Sequence, residues 1–158
     1  MNTRACTVHR ATVAGVMLAP EFPALIEAYD RECRIEGLPP PLAKLETYRE
    51  YEGAGFLHAF AAVQDEALVG FVTVAAYPLP HYSAPIAVVE SLFVDPGHRG
   101  LIGLQLLQAA EKQALASKSP VLQICTPVGS RLCQLLERPK LGYRATNVVF
   151  TKGLGHAH

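Results

Sequence analysis

Two stretches of this sequence have residue types and spacing suited to chemistry. The first is "VDPGHRGLIGLQLLQAAEK", Val94 to Lys112, where Gly97, His98, Arg99, Gly100 and Gly103 stand at the point where a strand end becomes a long amphipathic helix. The first amide N–H groups of a helix lack intrahelical partners, and its aligned peptide dipoles place partial positive charge there. Glycines let the backbone take unusual angles and leave no Cβ in the way of a bulky anion, while His98 and Arg99 add charge, so the corner suits a phosphate. The plainer reading is a turn after Asp95-Pro96 with Arg99 in solvent, and the glycines alone do not separate the two. The second stretch is "IAVVESLFV", Ile86 to Val94, a nearly unbroken apolar run with Glu90 and Ser91 in its middle. It reads as a central strand buried on both faces. A carboxylate there is expected to have its pKa raised by desolvation, which improves it as a proton acceptor; the plainer role is pairing with an arginine or capping a loop.

The elements that must hold these residues follow from periodicity. Cys6 to Thr12 alternates like a first strand. "PEFPALIEAYDRECRIEG" places Phe22, Leu25, Ile26, Tyr29 and Cys33 at helical spacing with Gly37 as a stop, and a second short helix follows the "LPPPL" break, from Leu42 through Leu45, Tyr48, Arg49 and Tyr51 to Gly53. "FLHAFAAVQ" and "ALVGFVTVAAY" around Asp65-Glu66 form an antiparallel hairpin, and "PLPHYSAP" is a loop. After the strand at Ile86–Val94, a helix runs from Gly100 to about Ser117, with Ile102, Leu106, Ala109 and Ala110 on one side. "PVLQICT" is a fifth strand, "GSRLCQLLER" a short helix capped by Ser130, and "RATNVVFTK" a last strand. The order β-α-α-β-β-β-α-β-α-β is an α/β plan with a mixed sheet.

At 158 residues the chain suits one domain, with no repeat and no long low-complexity run. A net charge of zero argues against a broad basic face for nucleic acid or anionic lipid, so any anion is bound locally. The apolar run Ala11 to Ala19, after Arg4 and Arg10, has the outline of a secretory core, but the strand-like alternation of "CTVHRAT" speaks against it, and no stretch is long enough to span a membrane. Cys6, Cys33, Cys125 and Cys133 are widely spaced in apolar segments without a C-x-x-C pair, which favours buried free thiols in a reducing cytoplasm over disulfides or zinc. His9, His58 and the terminal "GHAH", with His156 and His158, make no metal site on spacing, so no metal is expected.

"VVESLFVDPGHRGLIGLQLLQAAEK", with the downstream "LGYRATNVVFTK" and the early "TVHRATVAGV", resembles the acetyl-coenzyme A binding core of the GCN5-related N-acetyltransferases (GNAT). The resemblance covers most of the chain, and its specific part is Val88 to Lys112. It implies a single GNAT-like domain over residues 1–154, with a mixed, mostly antiparallel sheet flanked by helices, and a flexible tail at 155–158. It implies acetyl-coenzyme A as co-substrate, with the pyrophosphate on the turn formed by His98, Arg99, Gly100, Leu101, Ile102, Gly103 and Leu104. The pantetheine then meets main-chain groups of Leu92, Phe93 and Val94, and Glu90 becomes the base. Arg138 stands where the family often carries a tyrosine acid, Tyr143 falls at a packing position, and the acid is unassigned. His81 and Tyr82 are expected to line the acceptor side, and the segment Glu27 to Gly53 forms its other wall with a modest acidic excess from Asp30, Glu32, Glu36, Glu46, Glu50 and Glu52. The implied reaction is acetyl transfer to a primary amine, small-molecule or peptide, by direct attack. The alternative is a catalytically inactive module of the same fold that binds coenzyme A or another anion. The resemblance also admits a homodimer.

Overall fold

The computed structural model describes residues 5–35 and 37–155; Arg4, Glu36, His156 and His158, and with them all of the expected tail except Gly155, lie outside the described residues. A five-stranded sheet in the order β1-β2-β3-β4-β5 organises the molecule. Its strands are β1 (Thr7–Ala11), β2 (Leu57–Gln64), β3 (Ala67–Leu79), β4 (Ala84–Val94) and β5 (Leu122–Ile124), and its helices are α1 (Val13–Met17), α2 (Phe22–Cys33), α3 (Leu45–Gly53), α4 (Leu101–Ala116) and α5 (Arg131–Leu136). The first four strands pair antiparallel in sequence order, and β5 joins β4 in parallel.

Alternation along the strands sends side chains to two separate cores, because successive Cβ atoms point to opposite faces. On one face Val72 and Val74 meet Ile102, Leu106 and Ala110 of α4. On the other, Phe71 and Phe93 meet Val13 and Val16 of α1 and Leu25 of α2. The sheet is therefore sandwiched between α4 and the α1–α2 layer. The β2–β3 hairpin closes through Asp65 and Glu66, both at positive φ (50° and 67°), the mirror-image turn whose twist matches the flanking strands.

Four details depart from the sequence reading. Thr12 does not extend β1. Its Oγ1 accepts a hydrogen bond from the Gly15 amide at 3.0 Å, so it caps α1, a short helix that the apolar run had concealed. α2 stops at Cys33 rather than Gly37, and α3 begins at Leu45 rather than Leu42. The last expected strand does not form: residues 144–152 join no ladder, and Val148, Val149 and Phe150 are 78, 71 and 91 % exposed. The sheet ends at a β5 of only 3 residues, too short an edge to take up that segment. The cysteines are free, but Cys125 is exposed and the other three only half-buried.

Leu106 is fully buried where α4 meets the sheet. Leu106→Ala is expected to lower stability by about 2–5 kcal/mol. Urea denaturation should register this as a lower midpoint with an unchanged slope; a loss below about 1 kcal/mol would mean that α4 does not pack as described.

Candidate active site

Glu90 owes its position to a slip in the ladder. Thr73 of β3 lies opposite Ser91, while the next residue, Val74, lies opposite Val89. Glu90 is left without a partner on β3, as the extra residue of a β-bulge, and such residues are re-aimed out of the pleat. It is exposed in the middle of a strand whose flanks are buried. β4 contributes to a core on each face, as expected, but Glu90 itself is not desolvated: the bulge turns it into a cleft instead.

Both carboxylate oxygens accept hydrogen bonds there. Tyr48 of α3 donates its hydroxyl to Oε1 at 3.0 Å, and Thr73 donates to Oε2 at 2.6 Å. Thr73 has one proton to give, so Ser91, 2.7 Å away, must donate to Thr73 in turn. Burial, followed by the charge and hydrogen bond of Glu90, pushes the Tyr48 phenol well above its ordinary value. Tyr29 of α2 is pushed up to about 12, mainly by burial and less by its neighbours Cys33, Glu90 and Cys125. Both phenols therefore stay protonated at neutral pH, and Tyr48 is the one that donates to the carboxylate. The sequence reading had placed Tyr29 and Tyr48 on helix faces without linking them to Glu90, and had missed Thr73. The available signal was that Thr73 is the one polar residue in the run Leu68 to Ala76.

The cleft in front of Glu90 has a volume of about 290 Å³ and lies between α1, α2, the loop before α3 and the β3–β4 face. Met17, Phe22, Ile26 and Phe71 are among its walls, with Leu38 and Leu42 at the loop. Cys33 also reaches it, and burial raises its thiol pKa, so it is held as the weakly nucleophilic thiol.

On the far side of Glu90, β4 and β5 part company. They pair only over Ala87–Val89 and Leu122–Ile124. Ser119 fastens that end, its hydroxyl donating to the Val121 carbonyl at 2.6 Å and accepting from the Ala87 amide at 2.9 Å. Beyond it, Leu92, Phe93 and Val94 have no β5 partner. The wedge so formed leads to the N-terminus of α4. Thr12 and Ser130 cap α1 and α5 with their side chains, but no side chain caps α4. Its N-cap, Gly100, has φ 133°, a conformation that side chains rarely tolerate, and a Cβ at Gly100 or Gly103 would meet nothing within 4 Å. An uncapped helix mouth with open glycines, continuous with an unpaired strand edge, fits a long ligand that carries a pyrophosphate at one end.

The charged side chains of this turn are already engaged. His98 Nδ1 lies 2.7 Å from Asp95 Oδ2, and Asp95 also accepts from the Gly97 amide at 3.0 Å. Arg99 bonds Glu32 of α2 at 2.6 Å and the Val94 carbonyl at 3.2 Å, with its guanidinium carbon 5.4 Å from the Phe93 ring centre. Leu101 is exposed, Ile102 is buried against the sheet, and Leu104 is half-buried on the side of α4 nearer α5.

His81 and Tyr82 stack on each other, ring centres 4.3 Å apart, and neither lines the cleft. β3 runs on to Leu79 and β4 starts at Ala84, so this connection sits roughly 20 Å along the strand from Glu90. Tyr143 packs against α4, donating to Glu111 at 2.6 Å. Cys133 has Glu137, not a histidine, beside its sulfur. Among the described residues no group of side chains could hold a metal ion, and no helix is long and apolar enough to cross a membrane.

The model of the acetyltransferase (GNAT) family matches residues 22–140. No curated protein matches the chain. Among solved structures it is similar to a ribosomal-protein-alanine N-acetyltransferase from Brucella melitensis biovar Abortus, 20 % identical over 96 % of this chain and 100 % of that one, with a TM-score of 0.69. It is also similar to glucosamine-6-phosphate N-acetyltransferase from Arabidopsis thaliana, at 10 % identity, 96 % and 100 % coverage and a TM-score of 0.71. A third is an aminoglycoside N-acetyltransferase in complex with coenzyme A, at 18 % identity, 96 % and 95 % coverage and a TM-score of 0.70. At these identities the likeness is one of fold, and the three names cover three different acceptors.

The Tyr48–Glu90 contact can be tested by titration. In Glu90→Gln the Tyr48 phenol is expected to ionise at lower pH than in the parent protein, yet still above an ordinary tyrosine, because burial, the larger cause, remains. The difference in phenolate absorbance against Tyr48→Phe controls isolates this residue; an unchanged midpoint would separate the two side chains.

Proposed function

The chain belongs to the acetyltransferase (GNAT) family, and on that premise we propose that it transfers the acetyl group of acetyl-coenzyme A to a primary amine by direct attack, with Glu90 as the proton acceptor. The observation that carries this reading is the bulge that turns one carboxylate out of a core strand, between an open cleft and the parting of β4 from β5.

The co-substrate would supply an acetyl thioester, whose carbonyl carbon accepts the amine nitrogen as the carbon–sulfur bond breaks, the leaving thiolate taking the remaining surplus proton of that nitrogen directly or through water. The chain's residues have three tasks. The open amides at the start of α4, with Gly100 and Gly103, receive the pyrophosphate, and the free edge at Leu92 to Val94 aligns the pantetheine arm. His98, bonded to Asp95, and Arg99, paired with Glu32, leave this work to the main chain. Glu90 then takes the proton of the incoming ammonium, directly or through a water, while Tyr48 and Thr73 hold its orientation. Direct attack is favoured over an acyl-enzyme because the thiol in the cleft, Cys33, is kept protonated and Ser91 spends its hydroxyl on Thr73. The free cysteines suit a reducing cytoplasm as the setting.

Glu90→Gln is expected to lower kcat/KM by about 10²–10⁴-fold. Its affinity for acetyl-coenzyme A, read by calorimetry, should be unchanged. Turnover at the parent rate across pH would remove Glu90 as the base. At the turn, Gly103→Ala should retain cofactor affinity, because the added methyl meets open space. Gly103→Glu should weaken binding by at least about tenfold through bulk and repulsion; equal affinity would place the pyrophosphate elsewhere.

A further inference from the structure

We infer that the acceptor is a small monoamine with an apolar body, aliphatic or aromatic, whose single ammonium meets Glu90 while the body lies along the cleft between α2 and the loop before α3. The inference rests on the reading of this cleft as the acceptor site of an acetyltransferase.

Charge is the first argument. A polycationic acceptor needs a carboxylate for each ammonium that it buries, since an unpaired buried charge is strongly unfavourable. Among the described acidic residues of the wall expected from the sequence, only Asp30 lines the cleft. Glu32 is paired with Arg99 at 2.6 Å, Glu27 with Arg31 at 2.9 Å, and Asp30 lies 3.6 Å from Arg34. Glu52 accepts from the Val13 amide at 2.9 Å, at the start of α1. Of the cleft's carboxylates, Asp30 faces its own arginine, which leaves Glu90 as the one aimed at an incoming cation. Each of its oxygens accepts one hydrogen bond and has a further lone pair for an ammonium.

The remaining lining is the second argument. Away from Glu90 the walls are chiefly Met17, Phe22, Ile26, Leu38, Leu42 and Phe71. Leu38 and Leu42 are 58 and 81 % exposed, apolar surface left bare at the mouth of a cleft rather than folded into the core. Away from Tyr29, Tyr48, Thr73, Ser91 and the Asp30–Arg34 pair, these walls offer the hydroxyls of a sugar amine or the amides of a peptide few partners. An alkyl or aryl group gains from the same surface. At about 290 Å³ the cleft has room for a compact monoamine.

The experiment follows coenzyme A thiol release by the purified chain with phenethylamine, hexylamine, kanamycin, glucosamine-6-phosphate and a short peptide with leucine at its N-terminus. Phenethylamine and hexylamine are expected to exceed the other three in kcat/KM by at least about tenfold, the value of burying one apolar side chain. Faster turnover of the polycation, the sugar phosphate or the peptide would overturn the inference and leave acetyl transfer standing. So would acetyl-coenzyme A binding by calorimetry with no monoamine accepted. The absence of both cofactor binding and thiol release with every amine would overturn the acetyltransferase reading itself. Leu38→Asp, at an exposed position that does not endanger folding, should raise KM for phenethylamine about tenfold with cofactor affinity unchanged; an unchanged KM would take the apolar body off the loop.

Discussion

The one-residue slip between β3 and β4 is the constraint from which the site follows. In an unbroken strand, side chains four residues apart share a face, since the period is two. Val89 and Phe93 do not: Val89 belongs to the core under α4, and Phe93 to the core under α1 and α2. The parity of β4 changes between them, and Glu90 is the residue at which it changes. The slip therefore does two things. It turns a carboxylate out of an apolar strand without burying it, and it re-phases the rest of β4, so that Phe93 meets Tyr29 edge-on, ring centres 6.1 Å apart. The Tyr48 and Thr73 hydroxyls then hold the carboxylate that the bulge turns out.

A second constraint ties the two ends of the site together. Arg99 leaves the cofactor turn, lies over Phe93, and ends on Glu32 at the last turn of α2, the helix that walls the cleft. With side chains 20 and 44 % exposed, this pair is worth little as stability. Its effect is geometric: the wall of the cleft and the mouth of α4 are held by one side chain. The cost is that the most obvious cation of the turn is neutralised by the protein itself. On the proposed reading, attraction for a diphosphate comes from oriented main-chain amides, which cannot titrate and need no rotamer to be fixed at binding.

Much of the fold was legible because it rests on local periodicity. The β2–β3 hairpin, the long α4 and Ser130 as the cap of α5 all came from spacing and turn chemistry. Residues 144–152 misled because "NVVF" has strand propensity, and propensity cannot say whether a partner edge exists; here the sheet stops at a short β5. α1 was missed because five residues carry too little period to see, although Thr12 had the chemistry of a cap. At the site, Glu90 stood out as the carboxylate of an apolar run, but the environment inferred for it was wrong. A bulge depends on the register of two strands and leaves no mark in the sequence of either one. Tyr48 and Thr73 were illegible for the same reason: they lie 42 and 17 residues from Glu90 along the chain, and only packing brings them to it.

Apolar walls and a single outward carboxylate also make sense together as proton chemistry. An amine must lose its proton before it can attack, and in water it holds that proton firmly. Moving an ammonium into an apolar cleft removes hydration and favours the neutral form, whereas a facing carboxylate favours the charged one. The two effects oppose each other, and the opposition is useful. On the proposed reading, attraction brings the ammonium in and aligns it, and passing the proton to Glu90 relieves the desolvated ammonium. A second carboxylate at the same place would tilt this balance, holding the ammonium more tightly and leaving the nitrogen lone pair occupied. On the proposed reading, the pairing of Asp30 with Arg34 leaves Glu90 as the cleft carboxylate that faces the amine.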